Sequence, residues 1–295
     1  MKHPDSDRDR FADVVGDLLS LSARTAVVDT RNGPVQVALD TVALARVAPP
    51  STADELALEA VAAAGWQPEE TAQIGGWVLR AALGFTARAN SVLPLRAPWM
   101  PLDQALDRAH EWYAARGLPL QLAVPAEARR LLDAELGERG WVPSVDVEVL
   151  AARLDLLPDD RDSRYPVEVS ATADDAWLTL YRGGEALEPA GRALLARHDR
   201  VAFATIRLDG EVVAVGRGVL DSEWLGVAAV EVDPAHRRQG LARAVMGALW
   251  AWGRDGGGRR SYLQVSGDNR AALALYARLG YWQHHVYRYR TEPRT

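Results

Sequence analysis

The sequence predicts an α/β (α+β) protein with a mixed, largely antiparallel sheet. Apolar runs of strand length are joined by tight-turn pairs such as Asp209-Gly210, which are a strong hairpin signal. Longer runs, such as residues 241–254, repeat apolar residues with helical spacing. In the second half of the chain the predicted order is strand 167–170, helices 174–181 and 189–198, strands 201–208, 211–220 and 225–232, helix 241–254 and strand 261–266.

The composition bounds the size of the protein and excludes several kinds of site. The chain has 295 residues, of which 48% are hydrophobic and 25% charged, and this length is enough for about two domains. Forty acidic and 34 basic side chains give a formal charge of −6, which argues against nucleic-acid binding. The chain has no cysteine, so disulfides, thiolate catalysis and zinc–thiolate sites are excluded.

The beginning of the chain and its apolar runs predict a cytoplasmic location. The first ten residues are polar and lack the apolar core of a secretion signal. No apolar run approaches the roughly 18 residues that a membrane span needs. We therefore expect no membrane partner.

Residues 230–242 join a predicted strand to a predicted helix through a basic turn that contains glycine. Gly240 has no Cβ, so the main chain can approach a ligand closely. The N–H groups of the first helical turn then point at negative charge, which the helix dipole also favours. Arg237 and Arg238 add positive charge. The turn is therefore predicted to bind a pyrophosphate.

Two motifs in this region carry a family resemblance. Read as Arg237-x-x-Gly240-x-Ala242, the turn resembles the Arg/Gln-x-x-Gly-x-Gly/Ala signature of the GNAT superfamily of acetyl-CoA-dependent N-acetyltransferases. Residues 268–281 resemble the second signature of that family, Asn-x-x-Ala-x-x-x-Tyr-x-x-x-Gly-aromatic, with matches at Asn269, Ala272, Tyr276, Gly280 and Tyr281. The two motifs have the order and spacing that the family shows.

The resemblance implies the GNAT fold and acetyl-CoA as the cofactor. In the family, the strand before the turn and the strand after its helix diverge, and the pantetheine arm pairs with the main chain between them, as in β-augmentation. Here these segments are residues 230–232 and 264–266. The implied contacts to acetyl-CoA are Val230, Val232, Arg237, Arg238, Gln239, Gly240, Leu241, Ala242, Gln264, Asn269, Ala272 and Tyr276.

The resemblance also implies catalytic roles. The N–H of Val232 would polarise the thioester carbonyl, and Tyr276, a phenol with an ordinary pKa of about 10, would protonate the leaving thiolate. Asn269 lies close to two helical turns before Tyr276. The alternative roles are an N-cap for Asn269 and a core aromatic for Tyr276.

The general base is not fixed by the motifs. Some relatives carry a glutamate where this chain has Gln264, and an amide cannot accept the proton. Glu231 is a candidate, although strand alternation directs it away from Val230 and Val232, and a solvated surface position is the alternative. Glu223 is a similar case. A chain of water molecules, or an acceptor that arrives as the free amine, would need no dedicated base.

A second, degenerate GNAT-like unit is predicted over residues 51–152. Adding 140 to its numbering places it without a gap on the later motifs, with Gly76 on Gly216, Val92 on Val232 and Gly140 on Gly280. The chemistry is lost in this copy, because Gly240 corresponds to Met100 and Tyr276 to Leu136. Residues 153–165 are the linker, and residues 165–295 form the catalytic GNAT domain.

The degenerate copy is expected to shape the site for the acceptor. Its side chains Arg80, Arg88, Asn90 and Ser91 would orient an acidic acceptor at the interface between the two copies. The alternative is a set of solvated residues on a hairpin.

Residues 1–50 predict a small β-barrel-like module. Asn32-Gly33 between β-branched runs signals a hairpin, and a further run covers residues 42–47. A docking or stabilising role is favoured over a ligand site.

His284 and His285 lie on the predicted last strand. Since adjacent strand residues face opposite ways, at most one would line the site. Two neighbouring histidines are also poor ligands for one metal. We therefore predict no metal site.

The predicted function is transfer of acetyl from acetyl-CoA to the primary amine of a small molecule, with an amino acid such as glutamate as the first acceptor to test. The alternatives are acetylation of an antibiotic, a protein N-terminus or a thiol precursor, and a non-catalytic acyl-CoA sensor. The oligomeric state is left open.

Overall fold

The computed structural model describes residues 12–45, 48–158, 164–181 and 187–293. The chain forms two compact units, Met1–Pro49 and Pro50–Thr295. Among the described residues, no helix is both long and apolar enough to cross a lipid bilayer.

The first unit contains a three-stranded antiparallel sheet of β1 (Asp17–Leu21), β2 (Thr25–Thr30) and β3 (Gly33–Ala38). The predicted hairpin joins β2 to β3, and Gly33, with a φ of 104°, pairs with Thr30. The β-barrel expected here is thus an open three-stranded sheet in the described part of the unit. The predicted run 42–47 ends at residues 46 and 47, which lie outside the described residues.

The second unit alternates strands and helices in the order that the sequence predicts. Its helices are α1 (Thr52–Ala64), α2 (Leu102–Ala114), α3 (Arg130–Glu138), α4 (Asp175–Leu180), α5 (Pro189–Ala196), α6 (Leu241–Asp255) and α7 (Arg270–Arg278). Its strands are β4 (Glu70–Ile74), β5 (Trp77–Ala81), β6 (Val92–Pro94), β7 (Gln121–Pro125), β8 (Val142–Pro143), β9 (Val147–Arg153), β10 (Glu168–Ser170), β11 (Val201–Leu208), β12 (Glu211–Asp221), β13 (Trp224–Val232), β14 (Arg260–Ser266) and β15 (Trp282–Thr291).

These twelve strands form one mixed sheet with the order β10-β11-β12-β13-β14-β9-β15-β7-β6-β5-β4, and β8 pairs with β15. Parallel pairing occurs between β13 and β14 and between β6 and β7, while the other pairs are antiparallel. The predicted Asp209-Gly210 hairpin joins β11 to β12, with positive φ at both turn residues. The predicted fold class, mixed and largely antiparallel, is confirmed.

The two halves of this sheet exchange their last strands. β9, from the first half of the unit, pairs with β14 of the second half, whereas β15 of the second half pairs with β7 of the first. β9 and β15 also pair with each other at the centre of the sheet. Each half therefore depends on the other to complete its sheet, and the predicted linker at residues 153–165 separates two segments of sequence within one compact unit.

The proposed repeat is supported by element spacing, with one gap. The bounds of α3 and α7 lie 140 residues apart, 130 against 270 and 138 against 278. In β5 the same spacing matches Leu79 to Val219, but Leu79 pairs with Val92 whereas Val219 pairs with Gly226. Val92 therefore corresponds to Gly226 and not to Val232, as predicted. The first half lacks six residues between this position and the following helix.

Helices cover both faces of the sheet. On one face, which we call the α6/α7 face, Leu241 and Tyr276 pack with Leu263 and Val265 of β14. On the opposite face, the α1/α4 face, Leu58 and Ala62 of α1 pack against Tyr262 and Tyr287, and Trp177 of α4 packs against Phe203. Alternate residues of β14 thus face different helical layers.

A buried chain of hydrogen bonds fixes the α6/α7 layer to the sheet. The indole of Trp250 donates to the Tyr281 hydroxyl (3.0 Å), Tyr281 lies 2.6 Å from Ser261 Oγ, and Ser261 donates to the main-chain oxygen of Leu225 (3.0 Å). Burial raises the pKa of Tyr281 well above its ordinary value, so its hydroxyl stays protonated at neutral pH.

Replacement of Tyr281 by phenylalanine should destabilise the protein by about 1–3 kcal/mol, because the partners on Trp250 and Ser261 are left buried without a hydrogen bond. Urea unfolding measures the change in free energy. Tyr276→Phe is the matched control, since the Tyr276 hydroxyl has no hydrogen-bond partner among the described residues. Equal losses in both variants would contradict the role of this chain.

Candidate active site

A gap opens between two neighbouring parallel strands of the second half. β13 and β14 pair from Trp224 with Arg260 to Val227 with Leu263, and no pair is formed further along in the described residues. The register of β12 and β13 shifts beyond this point, and Ala229 has a φ of 53°, the mark of a β-bulge, which bends a strand. The predicted divergence of residues 230–232 from 264–266 is present, and we call it the strand gap.

Main-chain groups on both sides face this gap. The Asp233 N–H donates to Val213 O (2.9 Å), and bonded pairs alternate along an antiparallel ladder, so the N–H of Val232 points away from β12. By the same alternation, the bond from Gly267 N–H to Asp146 O (2.8 Å) directs the main chain of Gln264 away from β9. Both segments can therefore pair with an extended ligand.

The side chains beside the gap divide between the two faces of the sheet. Val230 and Val232 pack with the α6/α7 cluster. Glu231 is directed to the opposite face, because it pairs with Val215, which packs with Trp177 of α4. Glu231 is half-buried. Glu223 lies in the turn before β13, at the far end of that strand, with Arg260 Nε 3.6 Å from its carboxylate, so the structure removes it from the candidate bases.

The predicted pyrophosphate turn has the geometry of an anion site. Residues 237–240 are exposed, and Gly240 has a φ of 91° directly before α6. No side chain caps this helix, so its first N–H groups, at Leu241 and Ala242, remain for an external acceptor. Arg238 also has a positive φ (61°), and Arg237 Nε lies 3.4 Å from Val232 O. This loop therefore fits the diphosphate of coenzyme A.

Two residues at the end of the predicted linker also reach the loop. Arg164 Nη2 donates to the main-chain oxygen of Gln239 (2.6 Å), and the Tyr165 hydroxyl lies 3.1 Å from the same atom. The guanidinium of Arg164 lies 4.7 Å from the ring of Tyr165. The sequence gave no signal for this contact, because residues 153–165 lack any periodic pattern.

The second motif forms α7. Asn269 is its N-cap, with its side chain accepting from the N–H of Ala272 (3.1 Å), which is one of the two roles considered for it. Tyr276 is buried on the α6/α7 face, with its ring 6.0 Å from Tyr281. Burial raises the pKa of Tyr276 to about 12. Its phenol therefore keeps its proton at neutral pH.

A cavity opens on the α1/α4 face beside the strand gap, and we call it the acceptor cavity. Gln264, the first residue of β14 beyond the last pair with β13, lies in its wall. The remaining lining comes from α1, β5, the loop before β6, β7 and β15, as Glu59, Ala62, Ala63, Arg80, Arg88, Ala123, Tyr287 and Tyr289.

Arg88 connects the first half of the unit to the gap. It lies in the loop between β5 and β6, and its Nε donates to Gln264 Oε1 (2.7 Å). Its Nη2 is 3.3 Å from the main-chain oxygen of Gln264. The guanidinium also lies 5.9 Å from the ring of Trp66. No carboxylate among the described residues forms an ion pair with Arg88.

The other three predicted acceptor residues build the loop that holds Arg88. Arg80 is buried and donates to Ser91 Oγ (2.8 Å) and to Ser91 O (3.1 Å). Asn90 Oδ1 accepts from the N–H of Ala82 (2.7 Å). Of the four, Arg80 and Arg88 line the cavity, while Asn90 and Ser91 are buried in the loop.

The two histidines depart from simple strand alternation. In β15, Gln283 pairs with Leu150 and His285 pairs with Val149, so His284 is an extra residue in a bulge. A bulge can bring consecutive side chains together, and the two Nδ1 atoms lie 2.8 Å apart. The assumption that these side chains face opposite ways is therefore wrong at this point.

In the first half, an arginine occupies the equivalent of the strand gap. Arg129, at the position 140 residues before Asn269, donates from Nε to Pro94 O (2.6 Å) and from Nη2 to Leu95 O. β6 ends at Pro94, where the second half continues into its divergent strand. This copy presents no comparable main-chain edge to a ligand.

Comparisons with known proteins agree with these features. Residues 52–290 match the family model described as "Probable histone acetyltransferase Rv0428c C-terminal". The chain is 31% identical, over 95% of its length and 88% of the relative, to the probable histone acetyltransferase Rv0428c of Mycobacterium tuberculosis. It is 26% identical, over 76% of its length and 93% of the relative, to the uncharacterized N-acetyltransferase YobR of Bacillus subtilis.

Two solved structures share the fold. A GCN5-related N-acetyltransferase from Kribbella flavida superposes with a TM-score of 0.60 at 20% identity, covering 84% of this chain and 98% of that one. A tandem GNAT protein from the clavulanic acid biosynthesis pathway superposes with a TM-score of 0.55 at 15% identity, covering 85% and 90%. With the match to residues 52–290 and the relative at 31% identity, the chain belongs to the Rv0428c C-terminal family and is a GNAT N-acetyltransferase.

Proposed function

We propose that this acetyltransferase uses acetyl-CoA to acetylate the primary amine of a small molecule that also carries a carboxylate. An amino acid such as glutamate is the first acceptor to test. The observation that carries the proposal is Arg88, a cation in the acceptor cavity that contacts Gln264 at the edge of the strand gap.

The charge of the acceptor cavity supports an anionic acceptor. Arg80 and Arg88 supply two positive charges to the lining, and Glu59 supplies one negative charge. The partners of Arg88 are neutral amide oxygens of Gln264, so its charge is available to a carboxylate, which the guanidinium fork recognises well. A polycationic antibiotic fits this lining less well.

Residues on the two sides of the sheet would divide the reaction. Acetyl-CoA supplies an activated thioester in the strand gap. The N–H of Val232 would donate to the thioester oxygen as negative charge develops there. Tyr276 on the α6/α7 face would protonate the departing sulfur. Glu231, on the α1/α4 face, is the base candidate that the sequence supplies.

Protein acetylation is the main alternative, because Rv0428c is described as a probable histone acetyltransferase. A protein N-terminus, an antibiotic, a thiol precursor and a non-catalytic sensor role remain further alternatives. Thiol release from acetyl-CoA, measured with glutamate, other amino acids, polyamines, aminoglycosides and peptides, separates them when products are checked by mass. Transfer to lysine peptides alone would overturn the small-molecule proposal.

Replacement of Gly240 by valine should abolish acetyl-CoA binding. A β-branched residue cannot readily adopt a φ of 91°, so the loop before α6 would change shape. Gly257→Val is the matched control, because Gly257 follows the other end of α6 with a φ of 90° and equally open space around its Cα. Calorimetry should detect binding by the control variant. Undiminished binding by Gly240→Val would refute the pyrophosphate assignment.

Tyr276→Phe should lower kcat by roughly 10²-fold, the lower end for loss of a general acid. The affinity for acetyl-CoA should be nearly unchanged, because the ring is retained. Steady-state kinetics and calorimetry measure the two quantities. Tyr281→Phe serves as the second Tyr-to-Phe variant, and its kcat should stay close to that of the wild type at a temperature where it is folded. An unaltered kcat in Tyr276→Phe would rule out the acid role.

Arg88→Met should reduce kcat/KM for glutamate by roughly 10- to 100-fold, the usual loss when a charge-assisted hydrogen bond is removed. An amine that lacks carboxylates should lose much less. Arg116→Met is a matched control, because Arg116 stacks on Trp112 at 3.7 Å but pairs with Glu70 away from the cavity. Equal losses with both kinds of amine would show that Arg88 does not recognise the carboxylate.

A further inference from the structure

A buried carboxylate that the motifs do not include lies in the wall of the acceptor cavity. Glu59 is on α1, which covers the α1/α4 face, and its residue is 4% exposed. Its Oε1 lies 2.8 Å from Nε2 of His285, whose side chain is 1% exposed. The His285 Nδ1 atom lies 2.8 Å from Nδ1 of His284, which is half-buried. These contacts form a continuous path from the cavity towards the surface.

We propose that Glu59 accepts the proton of the acceptor's amine and that His285 and His284 carry this proton to solvent. The proposal rests on the proposed function, since it assigns the base for that reaction. It gives a role to both histidines of the bulge and to a carboxylate outside the GNAT motifs.

The register of the central strands places this path beside the strand gap. Val149 of β9 pairs on one side with Gln264 and on the other side with His285. Gln264 and His285 therefore lie two strand spacings apart, about 10 Å, on one face of the sheet. α1 crosses this face, so Glu59 reaches both the cavity and His285. A proton taken up at the gap has a short path to the histidines.

The bulge at His284 makes the path continuous. In a regular strand, the side chains of His284 and His285 would point to opposite faces of the sheet. The extra residue brings their rings to 5.0 Å between centroids and allows the contact between Nδ1 atoms. Trp282, which is exposed, stacks on His284 at 5.4 Å. The path therefore ends at a half-buried imidazole next to the surface.

The hydrogen-bonding capacities permit proton passage. When Glu59 is protonated, it donates to Nε2 of His285, and the Nδ1–H of His285 donates to Nδ1 of His284. When the proton has left, Nε2–H of His285 donates to the Glu59 carboxylate, and Nδ1–H of His284 donates to His285. Burial and the neighbouring His285 lower the pKa of His284 to about 4, so His284 rests in the neutral form and releases a proton readily.

The reaction balances with this assignment. The ammonium of the acceptor gives one proton to Glu59, and the free amine then attacks the thioester carbon. The new C–N bond forms, the C–S bond breaks, and Tyr276 gives its proton to the sulfur. The second proton on nitrogen restores Tyr276. The products are the amide, the free thiol and one proton, and this last proton is the one that leaves through His285 and His284.

Several other charged and titratable groups face the path and belong in any interpretation of its pH dependence. Asp54 and Arg260 act on His284 through their charges, and Glu55 precedes Glu59 by one helical turn. The groups that face Glu59 from the cavity wall or the sheet are Arg80, Arg88, Tyr262, Tyr287 and Tyr289. All are retained in the variants below.

Glu55 provides a matched control for Glu59. It is also buried on α1, at 5% exposure, and its carboxylate accepts from the N–H of Ala128 (3.0 Å). It does not line the acceptor cavity. Glu55→Gln and Glu59→Gln therefore make the same change on one helix, and both glutamines can still accept a hydrogen bond.

The test measures kcat/KM from pH 6 to 9.5 for the full-length protein, with acetyl-CoA and two acceptors, L-glutamate and a lysine-containing peptide. Glu59→Gln should lose 100-fold or more at pH 7, and the loss should shrink as the acceptor's amine deprotonates on its own at high pH. Glu59→Asp should recover part of the rate. His284→Asn should lower the rate at neutral pH while acetyl-CoA affinity is kept. Glu55→Gln should follow the wild-type pH profile.

Identical pH profiles for Glu59→Gln and Glu55→Gln, both folded and both binding acetyl-CoA, would overturn the relay. The same holds if Glu231→Gln produces the expected change of profile and Glu59→Gln does not. Wild-type transfer to the peptide alone would refute the small-molecule acceptor while the peptide still tests the relay. Wild-type transfer to neither probe would refute the proposed function and the relay together.

Discussion

The pairing of β9 with β15 at the centre of the sheet is the constraint on which the rest of the second unit depends. Each of these strands completes the sheet of the other half, so the halves form one layer with a shared interior. This pairing places Val149 between Gln264 and His285. It also brings the loop of Arg88 to the edge of the strand gap. The acceptor cavity exists because two distant segments of sequence are joined there by backbone hydrogen bonds.

The sheet also separates the two proton-transfer sites of the proposed reaction. Tyr276 belongs to the α6/α7 layer, whereas Glu59 belongs to the α1/α4 layer. Only the strand gap connects the layers, since elsewhere the strands of the second half are hydrogen-bonded to their neighbours. An acid and a base on opposite sides of a sheet cannot neutralise each other directly. The arrangement keeps a protonated phenol and a carboxylate in one active site.

Much of the second half could be predicted from sequence, because its elements are local. The pyrophosphate turn needs only Gly240 and the start of α6, and the N-cap of α7 needs only Asn269 and Ala272. The strand exchange could not be predicted, since nothing in β9 specifies β14 rather than β7 as its neighbour. Glu59 was missed because apolar residues surround α1 on nearly every side, which hides its buried face. The bulge at His284 follows from pairing with β9, which strand alternation alone ignores.

Mutual loan of a terminal strand is the pattern of a domain-swapped dimer. If the two halves of the second unit arose by duplication, their common ancestor would have been a symmetric pair with two equal strand gaps. Fusion of such a pair leaves one gap dispensable, while both loaned strands stay necessary for folding. The absence of six residues after β6 and the side chain of Arg129 at its end would then be changes that folding did not oppose. A former subunit would survive as the wall of its partner's active site.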